Sequence, residues 1–160
     1  MQQLKNFFLV SLFTLFLAAC GDKTVELKTD IDAINQVIKT SLQSEHFVQL
    51  AQQLEAAKTG EDKVKVYDTI IDNTQTAIKA FNDLNMKSAE TKLIQTKYND
   101  SLKLLVDLMK MSADLVNHQP SQEEIQTYTS LQEKTLQSLA DAEKALEDLQ
   151  KQVNDTEQKK

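Results

Sequence analysis

Residues that interrupt helices are almost absent from this chain. Its 160 residues include two glycines, Gly21 and Gly60, and one proline, Pro120. Leucine, lysine, glutamine, alanine and the acidic residues dominate instead, and most of these favour helices. Strands joined by tight turns need more glycine and proline than this chain contains. The sequence therefore predicts an all-α protein with one domain, because about 140 residues remain once an export segment is removed.

The first nineteen residues have the architecture of a secretory signal. A basic start at Lys5 is followed by an eleven-residue apolar run from Phe7 to Leu17 and then by small residues. A helix that spans a bilayer needs about twenty apolar residues, so a permanent transmembrane anchor is less favoured. We expect residues 1–19 to be a signal peptide that is removed after export.

The segment Leu17-Ala18-Ala19-Cys20 resembles the lipobox of bacterial prolipoproteins. The resemblance implies cleavage between Ala19 and Cys20 and attachment of acyl chains such as palmitate to Cys20. Two or three acyl chains hold a protein stably at a membrane. An ordinary secretory signal with an incidental cysteine is the alternative. Cys20 is the only cysteine, so the folded domain can form no internal disulfide.

The residue after the lipidated cysteine bears on which membrane holds the protein. In enteric lipoproteins an aspartate at that place retains the protein at the inner membrane, whereas this chain has Gly21. By that analogy we expect a lipid anchor on the periplasmic side, with the outer membrane favoured over the inner. Residues 20–29 are polar and are expected to form a flexible tether.

The charge of the chain argues against nucleic acid as a partner. The formal net charge is −6 and falls to −7 once Lys5 leaves with the signal. Every basic residue is lysine, so the planar arginine fork that grips phosphate groups is absent. A surface of this charge repels nucleic acid.

Four helical segments are predicted between residues 30 and 154, at about 30–58, 62–85, 88–117 and 121–154, with a frayed tail at 155–160. Their similar lengths predict an antiparallel up-down-up-down four-helix bundle. A long coiled-coil rod, or a continuous rod of the second and third segments, is the alternative. Gly60 is expected to end a helix in the left-handed conformation, Ser88 to cap one, and Ser121 with Glu124 to form a capping box.

The apolar pattern of the first segment changes phase. Ile31, Ile34 and Ile38 share one face with Leu42, whereas Phe47, Leu50 and Leu54 would point to nearly the opposite face of a straight helix. Burying both groups requires a kink or break near residues 42–47. The group of Phe47, Leu50 and Leu54 is also a candidate pocket for a small ligand or lipid.

The third segment has an unusually wide apolar surface. One face carries Ile94, Tyr98, Leu102, Leu105, Met109 and Val116. A second set, about 100° around the helix, is the candidate partner surface and contains Leu93, Leu104, Leu108, Met111 and Leu115. Contact with two neighbouring helices explains the same width without any partner.

No pattern in the sequence predicts catalysis, a cofactor or a metal site. His46 and His118 are the only histidines, and neither belongs to a metal-binding or catalytic motif. Asp30 and Asp32, like Glu123 and Glu124, are explained by a favourable interaction with the positive end of a helix dipole. We therefore expect a protein that is not an enzyme.

The joint between the second and third segments resembles one found in small helical lipoproteins of uncharacterised function. It comprises Ala80 to Asn85 followed by Lys87 to Leu93. The resemblance implies a fold and no functional residues. We expect a non-enzymatic envelope module that is held at the membrane by its lipid and binds an envelope protein or a second copy. The alternative is a carrier of a small ligand or lipid between its helices.

Overall fold

The computed structural model describes residues 23–42 and 44–158, without the side chains of residues 44 and 45. The predicted signal peptide, Cys20 and the last two residues lie outside the described residues. The first helix, α1, covers residues 23–41. It is followed by α2 (Ser44–Ala56), α3 (Gly60–Asn82), α4 (Ala89–Leu115) and α5 (Gln122–Gln158). The described ranges contain no strand.

Contacts between side chains show that neighbouring helices run in opposite directions. Gln150 on α5 donates to Asn35 on α1, and Lys28 pairs with Glu157 at 3.2 Å. Along the α1–α5 interface the residue numbers therefore rise on α1 where they fall on α5, so the two helices are antiparallel. Helices α3 and α4 are also antiparallel, because Asn82 contacts Asn99 while Gly60 lies beside Val116. Helices α4 and α5 are antiparallel too, because Ser101 contacts Ser138 while Tyr98 lies near Glu143. The predicted four-helix bundle is confirmed, with α1 and α2 as one bent helix, and the rod alternatives are wrong.

The main core contains side chains from all four helical segments. Ile34 from α1, Phe81 from α3 and Ala142 from α5 are fully buried. The Phe81 ring stacks on Tyr98 from α4 with its centroid 5.1 Å away. Burial and the nearby acidic residues Glu143 and Glu147 raise the pKa of Tyr98 to about 12. Burial disfavours the charged phenolate form of this side chain.

The chain bends between α1 and α2, near residues 42–45. The change of phase in the apolar pattern of the first segment predicts this bend. Ile31 and Ile34 pack into the main core on one side of the bend. Beyond it, Leu50 is 2% exposed and packs against Val66 and Ile70 in a second, smaller core. A straight helix would leave one of these groups in water, so their burial accounts for the bend.

The turns confirm the predicted cap at Ser88 and correct the prediction for Gly60. The backbone N–H of Thr91 donates to Ser88 Oγ at 3.0 Å, so Ser88 caps α4. Gly60 does not end a helix in the left-handed conformation, because no described glycine has a positive φ. It begins α3 after the cap Thr59. A Cβ atom at Gly60 would lie 3.1 Å from Asn117 Oδ1 and 3.2 Å from Val116 Cγ1, so a side chain here would displace the residues that follow α4 by a few tenths of an ångström.

Two predicted boundaries differ from the structure. Residues 23–29 of the expected tether are helical, because Leu27 packs against the main core and Lys28 pairs with Glu157. Residues 155–158 of the expected frayed tail continue α5, which brings Glu157 into that ion pair. The tether before residue 23 lies outside the described residues. The folded domain therefore includes residues 23–29 and does not begin only at residue 30.

Candidate functional site

Helix α5 begins in a firm cap at the end of the bundle remote from residue 23. The Ser121 N–H donates to Glu124 Oε2 at 2.7 Å, and the Glu124 N–H donates to Ser121 Oγ at 3.2 Å, which is the predicted capping box. His118 Nε2 lies 3.1 Å from the other carboxylate oxygen. The hydrogen bonds from Ser121, followed by that from His118, lower the pKa of Glu124 to about 2. The start of α5 is therefore held in place.

The apolar stripe of α5 is buried in one half of the helix and uncovered in the other. Its buried members are Thr135, Ala142, Leu146, Leu149 and Val153. No residue from position 122 to position 134 is buried. Tyr128 and Leu131 continue the stripe but are only half-buried, and Ile125 is 51% exposed. The amino-terminal half of α5 therefore lacks a neighbour that the carboxyl-terminal half has.

The missing neighbour is explained by the bend in the first helix. Beside the carboxyl-terminal half of α5, α1 contributes Asn35 and Lys28 to direct contacts. After the bend, α2 packs along α3. Within the described residues, no Cα atom of α2 lies within 8 Å of a Cα atom of α4 or α5. The bend carries the chain away from α5 and leaves that side of the helix open.

Helical periodicity identifies the residues that face this opening. Eighteen residues make five turns, so Gln132 projects in the same direction as Gln150, and Leu139 in the same direction as Glu157. Gln150 and Glu157 are the residues that contact α1. Ile125 and Leu136 lie on the same side of α5. We call this surface the open flank and define it as Gln122, Ile125, Thr129, Gln132, Leu136 and Leu139.

The open flank combines exposed apolar side chains with a lack of charge. Leu136 is 62% exposed and Ile125 is 51% exposed, which makes them two of the five strongly exposed large apolar side chains among the described residues. The other members of the flank are neutral, although 26% of the chain is charged. This uncharged helix side with two exposed apolar side chains is our candidate surface for binding another protein.

The candidate partner surface on α4 is divided by the structure. Leu93 is 59% exposed, whereas Leu104, Met111 and Leu115 are half-buried. Leu108 is 6% exposed and cannot contact a partner in this fold, so its inclusion is corrected. Helix α4 packs against both α3 and α5, and this explains the width of its apolar surface.

The three residues of the candidate pocket form part of the second core. Leu50 packs with Val66 and Ile70, and half-buried Phe47 and Leu54 lie against the same cluster. Tyr67 and Met109 add side chains from α3 and α4. These contacts take up the apolar surface that a ligand pocket would require.

A polar cleft at the bend was not predicted from the sequence. Its volume is about 240 Å³, and it is lined by Thr40, Ser41, His46, Asn73 and Thr76. Asn73 Nδ2 lies 2.8 Å from His46 Nε2 and donates to it when that nitrogen carries no proton. The change of phase in the apolar pattern predicted that His46 lies near the bend. The sequence did not predict that Asn73 and Thr76 of α3 line the same cleft, because their position depends on tertiary packing.

Asp30 has a role that its place in the sequence does not reveal. It is 3% exposed, and its Oδ2 accepts hydrogen bonds from the N–H groups of Lys87 and Ser88 and from the Thr91 hydroxyl. Because α1 is already helical at residue 23, Asp30 does not lie in its first turn, and the dipole explanation for it is wrong. It stabilises the start of α4 from a different helix.

The described residues include no group of three or more histidine, cysteine or acidic side chains placed to hold a metal ion. None of the described helices is both long and apolar enough to cross a membrane.

The chain matches a known protein family. The family model described as uncharacterised lipoprotein PM1805 matches residues 28–156, which include most of α1 and all of α2 to α4, together with nearly all of α5. No curated protein and no solved structure matches the chain.

Proposed function

The chain belongs to the uncharacterised lipoprotein PM1805 family, and from this membership we propose that it is a lipid-anchored, non-enzymatic interaction module of the bacterial cell envelope. Membership in a lipoprotein family implies a lipid anchor at a membrane. The proposal adds that Cys20 carries the lipid, that the domain lies on the periplasmic side, with the outer membrane favoured, and that the open flank of α5 binds an envelope protein.

The position of Cys20 sets the geometry of the anchored protein. Only two residues separate Cys20 from Lys23, where the described part of α1 begins. A chain extends by at most about 3.6 Å per residue, so the anchor lies within about 11 Å of that point. Helix α5 runs antiparallel to α1, so its amino-terminal half lies at the other end of the bundle. The pairing of Asn35 with Gln150 and of Lys28 with Glu157 places the open flank, at 1.5 Å per residue, roughly 35–60 Å from the level of residue 23 along the bundle axis.

The observation that carries the proposal is the exposure of Ile125 and Leu136 on a helix side that has lost its neighbour. Complete burial of such a side chain contributes about 1.5–3 kcal/mol. Covering the remaining exposed surface of both residues would supply a few kcal/mol, and anchoring in a membrane raises the effective concentration of a partner. A contact that contributes only a few kcal/mol is then sufficient for binding, because both proteins are held at the same membrane.

A carrier of a small ligand or lipid has less support. An apolar carrier site needs an empty space lined by Phe47, Leu50 and Leu54, but these side chains pack into the second core. The non-enzymatic part of the proposal depends on the sequence, which has no pattern typical of a nucleophile or a general base.

Affinity purification from cross-linked cells tests the proposal. The double variant Ile125→Glu/Leu136→Glu should recover envelope proteins at about one tenth of the parent level or less, because a loss of 1.4 kcal/mol is tenfold in affinity. The matched control Gln126→Glu/Ser130→Glu adds the same charges to exposed positions on the outer side of α5 and should recover parent levels. Equal recovery by parent and double variant would contradict the proposal, provided both variants show the parent's helical circular dichroism.

A further inference from the structure

The residues of the open flank are spaced as in a coiled coil. Positions 122, 125, 129, 132, 136 and 139 are separated alternately by three and four residues. This 3-4 spacing keeps a row of side chains facing one partner helix. The row lies beside the buried stripe of α5, so the helix has a second seam in addition to the one that packs in the bundle.

The seam ends where α1 becomes the neighbour of α5. The next position in the repeat is Glu143, and the adjoining part of α5 contacts α1 through Gln150 and Glu157. The neutral seam is therefore confined to the part of α5 that α2 leaves open. It covers eighteen residues, or about 27 Å of helix.

We infer that the open flank of α5 pairs with the open flank of a second copy of this chain, side by side and parallel, in the same membrane. The inference rests on the proposed function and names its partner. In register, Ile125 and Leu136 would each meet the same residue of the second copy. Gln132 both donates and accepts hydrogen bonds, so it can pair with its own counterpart. The Thr129 hydroxyl donates to Ile125 O at 2.9 Å within its own helix and adds a small neutral side chain to the row.

The absence of charge is the feature that favours a second copy. In a parallel pair each seam residue faces itself, so a charged residue in the seam would face a like charge and destabilise the pair. The seam contains none, within a chain that is 26% charged. A foreign helix selected by charge would find no complementary group in this seam.

The anchor determines the orientation. Because α1 begins within about 11 Å of Cys20, two copies in one leaflet hold the same end of the bundle at the membrane. Their α5 helices then run in the same direction. One helix pair of about 27 Å buries less than the roughly 800 Å² per partner of a standard interface. Pairing therefore requires the high local concentration that the membrane supplies.

Disulfide formation in membranes from cells that produce the full chain tests the inference. Cys20 is the only native cysteine, and lipidation removes its thiol. Copper phenanthroline with oxygen oxidises two introduced thiols to one disulfide and takes up the two electrons, while two protons leave. Gln132→Cys should form at least about five times more dimer than Ser130→Cys, whose thiol faces away from the seam, because a disulfide requires Cα atoms about 4.4–6.8 Å apart.

Three results would overturn the inference. The first is equal dimer yield from Gln132→Cys and Ser130→Cys. The second is dimer from Gln132→Cys that persists when Leu136→Glu is added. The third is preferential joining of Thr129→Cys to Gln132→Cys over joining of either variant to itself, because that pattern indicates antiparallel helices. The double variant Ile125→Glu/Leu136→Glu distinguishes this inference from the proposed function. If two copies do not pair, but the double variant still fails to recover another envelope protein that the parent recovers, the self-pairing inference is wrong and the proposed function stands.

Discussion

Replacing Asp30 with alanine should destabilise the domain by about 2–5 kcal/mol, because it leaves several donors without their acceptor, at about 1–3 kcal/mol for each buried one. The carboxylate of Asp30 accepts from the N–H groups of Lys87 and Ser88 at 2.9 and 3.0 Å and from the Thr91 hydroxyl at 2.6 Å. Without it, the buried Ser88 N–H and the part-buried Lys87 N–H before α4 no longer have this acceptor. Urea denaturation measures the loss, and Asp32→Ala, exposed on the same helix, should lie within about 0.5 kcal/mol of the parent.

The pH dependence of the difference in unfolding free energy between the parent and Asp30→Ala gives a second test. Burial raises the pKa of Asp30, but the hydrogen bonds from Thr91, Ser88 and Lys87 outweigh it, so the net pKa lies below its ordinary value of 3.8. A carboxyl with a lowered pKa in the folded state stabilises the fold above its ordinary pKa, and the contribution is lost as the pH falls through the lowered value. The difference between the parent and Asp30→Ala should be constant near neutral pH and narrow below pH 3.8. A difference that widens with acid would contradict this role.

Replacing Phe81 with alanine should cost about 3–5 kcal/mol, a large share of the roughly 5–15 kcal/mol available to a domain. Phe81 is fully buried and stacks on Tyr98 with an interplanar angle of 8°. Thermal unfolding followed by circular dichroism measures the change. Leu93→Ala serves as the control, because Leu93 is 59% exposed and its truncation removes little buried surface. A melting temperature for Phe81→Ala close to that of Leu93→Ala would contradict the central position of Phe81.

The titration of Tyr98 gives an independent measure of the same core. Burial raises its pKa to about 12. Removal of the stacked Phe81 ring admits water beside the phenol, so the pKa in Phe81→Ala should move towards 10.0, the ordinary value for tyrosine. Absorbance of the phenolate follows this change in the folded variant.

The fold could be predicted because apolar periodicity and local caps determine most of it. The phase change between Leu42 and Phe47 predicted the bend, and the pairing of Ser121 with Glu124 predicted the start of α5. The prediction of a flexible tether was wrong for residues 23–29. A single apolar residue, Leu27, gives no periodic pattern in the sequence, although its packing against the main core orders the first turns of α1.

The features that could not be predicted depend on contacts between distant parts of the chain. Asp30 acts on Lys87, Ser88 and Thr91, which follow it by 57 to 61 residues. Helical periodicity showed that α4 has a wide apolar surface but not which neighbours cover it, and so Leu108 was wrongly included in a partner surface. The open flank of α5 exists only because α2 turns towards α3, a direction that the phase break does not specify.

Photo-cross-linking on the membrane-anchored full chain tests the central claim most directly. A benzophenone amino acid placed at Leu136 or Ile125 should give cross-linked products, because these positions lie on the open flank of α5. The same amino acid at Gln126 or Ser130, exposed on the outer side of the helix, should give few. Product confined to positions 125 and 136 is the predicted result. Equal yields at all four positions, or none at the open flank, would contradict the account of this lipoprotein as an interaction module that binds through α5.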